Sequence, residues 1–425
     1  MKYLVLLFLV TLPVLAQERQ GRRNQQPDAV PTEPAPIRPA TNAVAGQRSG
    51  NTPVAETVDE TPVVTHHEII LNGKSLRYTA TAAQMPIKNA SGETEAHIFY
   101  IAYTLDEGTN NLSKRPVTFA FNGGPGSASV WVHMGAMGPK RAKLLDDGNM
   151  PVPPFTLVDN DQTWLDFSDL VFIDAIGTGY SRAKTPELAR RFNGVQGDLD
   201  AFGEFIRMYL TRNSRWVSPL FIAGESYGTF RAAGLAGNLI DKGIAFNGVV
   251  LISTVLNFET LRPSMNNSLG YALNLPTYAA DAWYHKKLPR DLQSKDLQSV
   301  LKEVEGWTMT GYVEALNKGD DLPPAERKDV IAKLARYTAL EPRYIDDSNL
   351  RYNVGQFTRQ LLRDDKLTIG RLDGRLTGPS PLNAGETAEF DPSGTLPLPP
   401  VEAVFMNYVR SELNYKTDMN YYISG

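Results

Sequence analysis

The 425-residue sequence contains no cysteine. That absence removes disulfides, thiolate metal sites and a cysteine nucleophile from consideration together. Charge of one sign is lacking as well: 43 basic side chains stand against 47 acidic ones. Without a basic surplus to neutralise phosphates, nucleic-acid binding has no support. There is also no apolar run long enough to anchor the chain in a bilayer at its start. The stretch from Tyr3 to Leu15 falls short of the roughly 20 residues that cross the hydrocarbon core. Preceded by Lys2 and closed by Val14-Leu15-Ala16, it reads as a signal peptide over residues 1–16, cut before Gln17. Export, to the periplasm or the medium, is therefore expected, into a compartment where disulfides are permitted but unused.

Residues 17–61 lack aromatic side chains and leucine, and Pro27, Pro31, Pro34, Pro36, Pro39 and Pro53 interrupt them. Such a segment cannot bury enough apolar surface to offset its ordering entropy, which makes it a disordered leader. From Pro62 the pattern changes. Short β-rich runs, His66 to Leu71, Leu76 to Ala82 and His97 to Leu105, are separated by Asn72-Gly73 and Ser91-Gly92 turn signals. Buried strands are then expected at Val117 to Phe121 and Leu170 to Asp174, and Leu220 to Ala223 and Gly248 to Ser253 supply two more apolar runs. Between them, Phe202, Phe205, Ile206 and Tyr209 recur at helical spacing. This strand–helix alternation over residues 62–260 predicts an α/β core with a mainly parallel sheet. Helix-period segments follow over 261–400, including Pro324 to Leu340 and Ser348 to Arg363, and imply a helical insertion. Residues 401–425 carry a helical stripe, Val401, Val404, Phe405 and Tyr408, that returns toward the core.

Two motifs carry chemistry. In Gly224-Glu225-Ser226-Tyr227-Gly228 a serine stands between two glycines, after an apolar strand and before the helix-compatible run Arg231 to Ile240. A sharp strand-to-helix turn of this kind exposes its serine, and the flanking glycines let strand and helix pass without a Cβ clash. The second motif, Asn122-Gly123-Gly124-Pro125-Gly126-Ser127, follows the strand Val117 to Phe121. A glycine-rich loop there can aim backbone N–H groups at one point, as an oxyanion hole requires. A phosphate cradle is disfavoured, because no Lys-Ser or Lys-Thr pair follows and proline breaks the helix start.

Together the two motifs resemble those of the serine carboxypeptidase family of α/β-hydrolases, and Asp174-Ala175-Ile176-Gly177-Thr178-Gly179-Tyr180-Ser181 looks like a third family segment. Leu275 to Ala280 and Gly370 to Gly374 are similar to the bacterial branch. The resemblance implies a doubly wound, mainly parallel α/β sheet with a helical cap. It implies Ser226 as the acylating nucleophile and the N–H groups of Gly124 and Tyr227 as the oxyanion hole. Asn122, the Gly123 backbone and Glu225 would hold the substrate's terminal carboxylate, which puts only the last peptide bond within reach. The expected partners are peptide or protein C-termini, and no cofactor or metal is implied. An esterase or acyltransferase would share Ser226 without needing the carboxylate anchor; an inactive peptide-binding protein would need neither base nor acid.

The chain departs from that pattern in two places. Only His285 follows Ser226, and it lies inside the insertion instead of after a late core strand, where a triad base is expected. The family's catalytic Asp and His are therefore expected beyond Gly425, and the sheet is expected to lack its last strands. Ala136, two residues before Gly138-Pro139, stands where many members carry a glutamate paired with the elbow acid; His133 is a candidate cationic substitute. His66 and His67 are adjacent and face opposite sides of a strand, so they cannot bind one metal from one face. The pairs Asp146-Asp147, Asp320-Asp321, Asp346-Asp347 and Asp364-Asp365 sit in polar stretches and read as solvated turns.

Overall fold

The computed structural model describes residues 58–106, 112–382 and 384–424. The expected signal peptide and all of the leader before residue 58 lie outside them. Strands β1 (Val63–Leu71), β2 (Lys74–Lys88) and β3 (Thr94–Leu105) form an antiparallel meander. Its first turn is Asn72-Gly73, with φ of 51° and 78°, the left-handed pair that a two-residue hairpin demands. The leader's end is already held, since Glu60 pairs with His97 at 3.0 Å.

Four strands then join in parallel: β4 (Val117–Phe121), β7 (Asp169–Ile173), β9 (Leu220–Glu225) and β10 (Gly248–Ile252). Two short strands, β5 (Lys140–Ala142) and β6 (Leu157–Asp159), pair as a separate hairpin, and β8 (Arg182–Ala183) flanks β3. The main sheet runs β1-β2-β3-β7-β4-β9-β10. Strand β4 is wholly buried between β7 and β9. Its alternation shows why: Phe119 and Phe121 join one layer with Phe202, Phe205, Leu235 and Leu239 of the crossover helices. Ala120 faces the other layer, with Phe172, Val401, Val404, Phe405 and Tyr408. A strand covered on both faces reads as a continuous apolar run.

The insertion has a core of its own, built from Leu275, Tyr278, Val304, Leu334 and Phe357 among others. It is not wholly helical, because β11 (Leu367–Ile369) and β12 (Thr377–Pro379) form a hairpin inside it. The helix expected from Ser348 to Arg363 is also corrected. A helix ends at Asp347, Asn349 and Leu350 take left-handed φ of 49° and 61°, and a new helix, Val354–Gln360, starts from an Asn353/Gln356 capping box. The last helix, Leu398–Ser411, begins before the expected boundary at 401. No helix of the described residues is long and apolar enough to cross a membrane.

Candidate active site

Strand β9 ends at Glu225 and the helix Tyr227–Ile240 begins two residues later, so Ser226 alone makes the turn. Its backbone sits at φ 55°, ψ −126°, a region L-residues rarely occupy and one that persists only when the surroundings fix it. The surroundings do so. Ser226 N–H donates to Ile252 O at 2.9 Å and Thr229 N–H to Ser226 O at 2.9 Å. A methyl on Gly224 would overlap Gly228 O, and one on Gly228 would lie 3.1 Å from Asn122 O. Close backbone approach thus requires glycine at 224, and a side chain at 228 would press on the main chain after β4.

The loop after β4 packs directly on this turn. A methyl on Gly123 would overlap Tyr227 N and come within 2.7 Å of Glu225 O and Gly228 N. Gly124 takes φ 106°, and Ser127 N–H closes the turn onto Gly123 O at 3.0 Å. The N–H groups of Gly124 and Tyr227 have no hydrogen-bond partner among the described residues. The one at Tyr227 is a free donor at a helix N-terminus, where partial positive charge favours an anion. Asn122 Nδ2 donates to Glu225 Oε2 at 2.8 Å, while its Oδ1 accepts from Val132 N–H at 2.9 Å. A cleft of about 470 Å³ opens between Gly124–Ser127 and Ile176–Thr178. All six residues singled out from the sequence, Asn122, Gly123, Gly124, Glu225, Ser226 and Tyr227, therefore meet at the adjoining ends of β4 and β9.

Behind them lie groups to which the sequence assigned no role. Arg231 donates to Asp198 Oδ2 at 2.7 Å and to Asn122 O at 2.8 Å. Burial pushes the Asp198 carboxyl up, against the opposing pull of Arg231. Asp174 Oδ1 accepts from Ser129 N–H at 2.7 Å, and Ser129 Oγ in turn bonds Ile173 O. Burial raises Asp174 to about 6. Its other oxygen lies so close to Gly179 that a methyl there would overlap it, which accounts for the glycine in that segment. The Tyr421–Ser424 stretch bridges the same two loops, through Gly179 N–H to Tyr422 O at 2.7 Å and Ala128 N–H to Ile423 O at 2.9 Å.

All five histidines are engaged elsewhere. His66 and His67 bond Thr79 and Thr65, His97 bonds Glu60, and His285 Nε2 lies 2.7 Å from Gly374 O. His133 is not a cationic substitute for the missing glutamate: it is sealed against Phe172, shares a 2.7 Å hydrogen bond with Tyr103, and burial pushes it down to about 3. No side chain of the described residues hydrogen-bonds the Ser226 hydroxyl; Thr229 Oγ1 donates to the Ser226 main-chain oxygen at 2.7 Å. The paired aspartates are spread among separate partners; Asp346 pairs with Arg327 and Asp365 with Lys287.

A serine on a strained strand-to-helix turn, a glycine-rich loop packed against it and a doubly wound sheet define an α/β-hydrolase. The model of the serine carboxypeptidase family matches residues 87–325, and the chain belongs to that family. It is 31% identical over 138 residues to a pheromone-processing carboxypeptidase, kex1, of Talaromyces marneffei, covering 32% of this chain and 20% of that one. Against a retinoid-inducible serine carboxypeptidase of Mus musculus it is 28% identical over 167 residues, 37% of this chain and 33% of the other. The matched stretches thus span a third or less of these two relatives. A longer match, 26% over 301 residues, covers 68% of this chain and 55% of the serine carboxypeptidase-like 20 protein of Arabidopsis thaliana. Among solved structures, the prohormone-processing carboxypeptidase Kex1 of Saccharomyces cerevisiae aligns with a TM-score of 0.38 at 17% identity, covering 61% of this chain and 53% of that one.

Proposed function

We propose that this protein is an exported serine carboxypeptidase that removes C-terminal residues from peptides through an acyl-enzyme on Ser226. The observation that carries the reading is the contact of Asn122 with Glu225 at 2.8 Å, one residue from a serine at φ 55°. A carboxylate anchor at that distance from a nucleophile admits only the last peptide bond. Ser226 Oγ attacks the scissile carbonyl, and the N–H groups of Gly124 and Tyr227 take up the charge that develops on its oxygen. Asn122, the Gly123 backbone and Glu225 hold the free carboxylate. No step calls for a cofactor. In this reading the proton of Ser226 passes to a histidine steered by an aspartate, groups that the described residues do not bring to the Ser226 hydroxyl. Residues 62–260 then form the catalytic core, 261–400 the cap over the site, and 401–425 the return to the core.

A second reading, a peptide-binding protein without turnover, is favoured by the engagement of all five histidines away from Ser226. The two separate in one experiment, in which residues 17–425 and a form continued past Gly425 are assayed on blocked dipeptides with a free carboxylate. Turnover in the longer form that vanishes in Ser226→Ala supports the peptidase. Binding without turnover in both forms supports the alternative.

A further inference from the structure

Arg231 is fully enclosed, with 0% exposure. It lies four residues after Tyr227, and Leu235 and Leu239 follow at the same spacing, both buried. A cation thus occupies the apolar stripe of the helix that follows Ser226. Its Nε reaches Asp198 and its Nη1 the main-chain oxygen of Asn122, at 2.7 and 2.8 Å. The guanidinium lies 4.3 Å from the centroid of the Phe202 ring and 5.4 Å from that of Tyr227. One side chain therefore touches the preceding crossover helix, the end of β4 and the residue after the serine.

The desolvation cost of a buried ion pair roughly cancels its attraction, so stability does not explain it. A rigid planar fork does supply two directed bonds. Asn122, in turn, has every polar end engaged: its O by Arg231, its Oδ1 by Val132 and its Nδ2 by Glu225. We infer that Arg231, with Asp198 as counter-ion, is a positioning residue that fixes the Asn122 main chain and thereby aims the Asn122–Glu225 pair at a substrate carboxylate. The inference rests on the anchor role proposed for that pair.

The test measures binding, by calorimetry on the full chain, of benzyloxycarbonyl dipeptides with a free carboxylate and of their carboxamides. The proteins are wild type, Arg231→Lys, the neutral pair Asp198→Asn/Arg231→Gln, and Asn122→Ala, each with its Tm. The neutral pair guards against misfolding, because it leaves no unpaired buried charge. We expect the preference for carboxylate over carboxamide to fall about tenfold in both Arg231 variants, with carboxamide affinity close to wild type. An unchanged preference in the folded Arg231 variants overturns the inference, as does an equal loss for both ligands that tracks Tm. Asn122→Ala separates the two readings. If it too leaves the preference unchanged, or wild type shows none, the anchor lies elsewhere and the proposed function fails first. If it abolishes a preference that the Arg231 variants keep, only the present inference fails.

Discussion

Strands β9 and β10 are parallel neighbours of similar apolar content, yet one is sealed and the other open. Strand β9 is paired on both sides, by β4 and β10, and Ile222 and Ala223 are buried in opposite layers. Among the described residues strand β10 is paired only by β9, and Val249 and Leu251 remain 41% and 37% exposed. The candidate site divides along the same line. Groups brought by β4 and β9 are locked by close backbone contact, whereas no group from the β10 side bonds Ser226 Oγ among the described residues. In open parallel sheets the functional groups gather at the carboxyl ends of adjacent strands. A free edge is where further strands add. Close backbone contact therefore fixes the groups at the ends of β4 and β9, while the outer edge of β10 is unpaired among the described residues.

The largest expected effect breaks that comparison at the open side. Residues 17–425 should turn over blocked dipeptides about four or more decades more slowly than a form continued past Gly425, because serine without its base is a weak nucleophile. Turnover at full rate in the short form, lost in His285→Ala, would show that the base was present all along.

At the sealed side, Gly123→Ala should lower unfolding free energy by about 2–3 kcal/mol or more, since its methyl must displace the main chain of Tyr227. Gly237→Ala, on the same helix with open space around it, should instead gain up to about 1 kcal/mol. Chemical denaturation of the two variants measures the contrast.

Asp174 offers a pH test of the same half. Its folded carboxyl titrates near 6, above its ordinary 3.8, so the native state holds a proton that the unfolded chain has released. Its contribution is therefore full below pH 3.8 and is lost as pH rises through 6. His133 runs the opposite way: held neutral down to about 3 against an ordinary 6.5, it costs stability as pH falls below 6.5. Thermal melts from pH 4 to 8 should show Asp174→Asn gaining on wild type as pH rises, with the difference levelling above pH 6. The smallest effect belongs to the open strand, where Val249→Lys should change stability by no more than about 0.5 kcal/mol. Ile222→Ala on β9 should cost about 2–5 kcal/mol.

The elbow was readable because its glycines record a backbone constraint: Gly224 and Gly228 are there so that strand and helix can touch. The loop was readable for the same reason through Gly123. What the sequence reading missed is the support behind them. Arg231 looked like an ordinary polar residue opening a helical run. The available signal was its spacing with Leu235 and Leu239, matched by Asp198 four residues before Phe202, which puts opposite charges on the buried stripes of two consecutive helices. The break at Asn349-Leu350 escaped because helical periodicity persists across it, although Asn353 and Gln356 spelled the new helix start. His133 could not be assigned from sequence, since only packing against Phe172 and Tyr103 decides that it stays neutral.

Covalent labelling tests whether Ser226, at the sealed ends of β4 and β9, carries the acyl group proposed for it. The form continued past Gly425 is treated with diisopropyl fluorophosphate, digested, and its adducts located by peptide mass spectrometry. One adduct is expected, on Ser226, formed in step with the loss of peptidase turnover and absent in Ser226→Ala. An adduct on another serine that tracks the loss of turnover, or undiminished turnover in Ser226→Ala, would contradict that assignment.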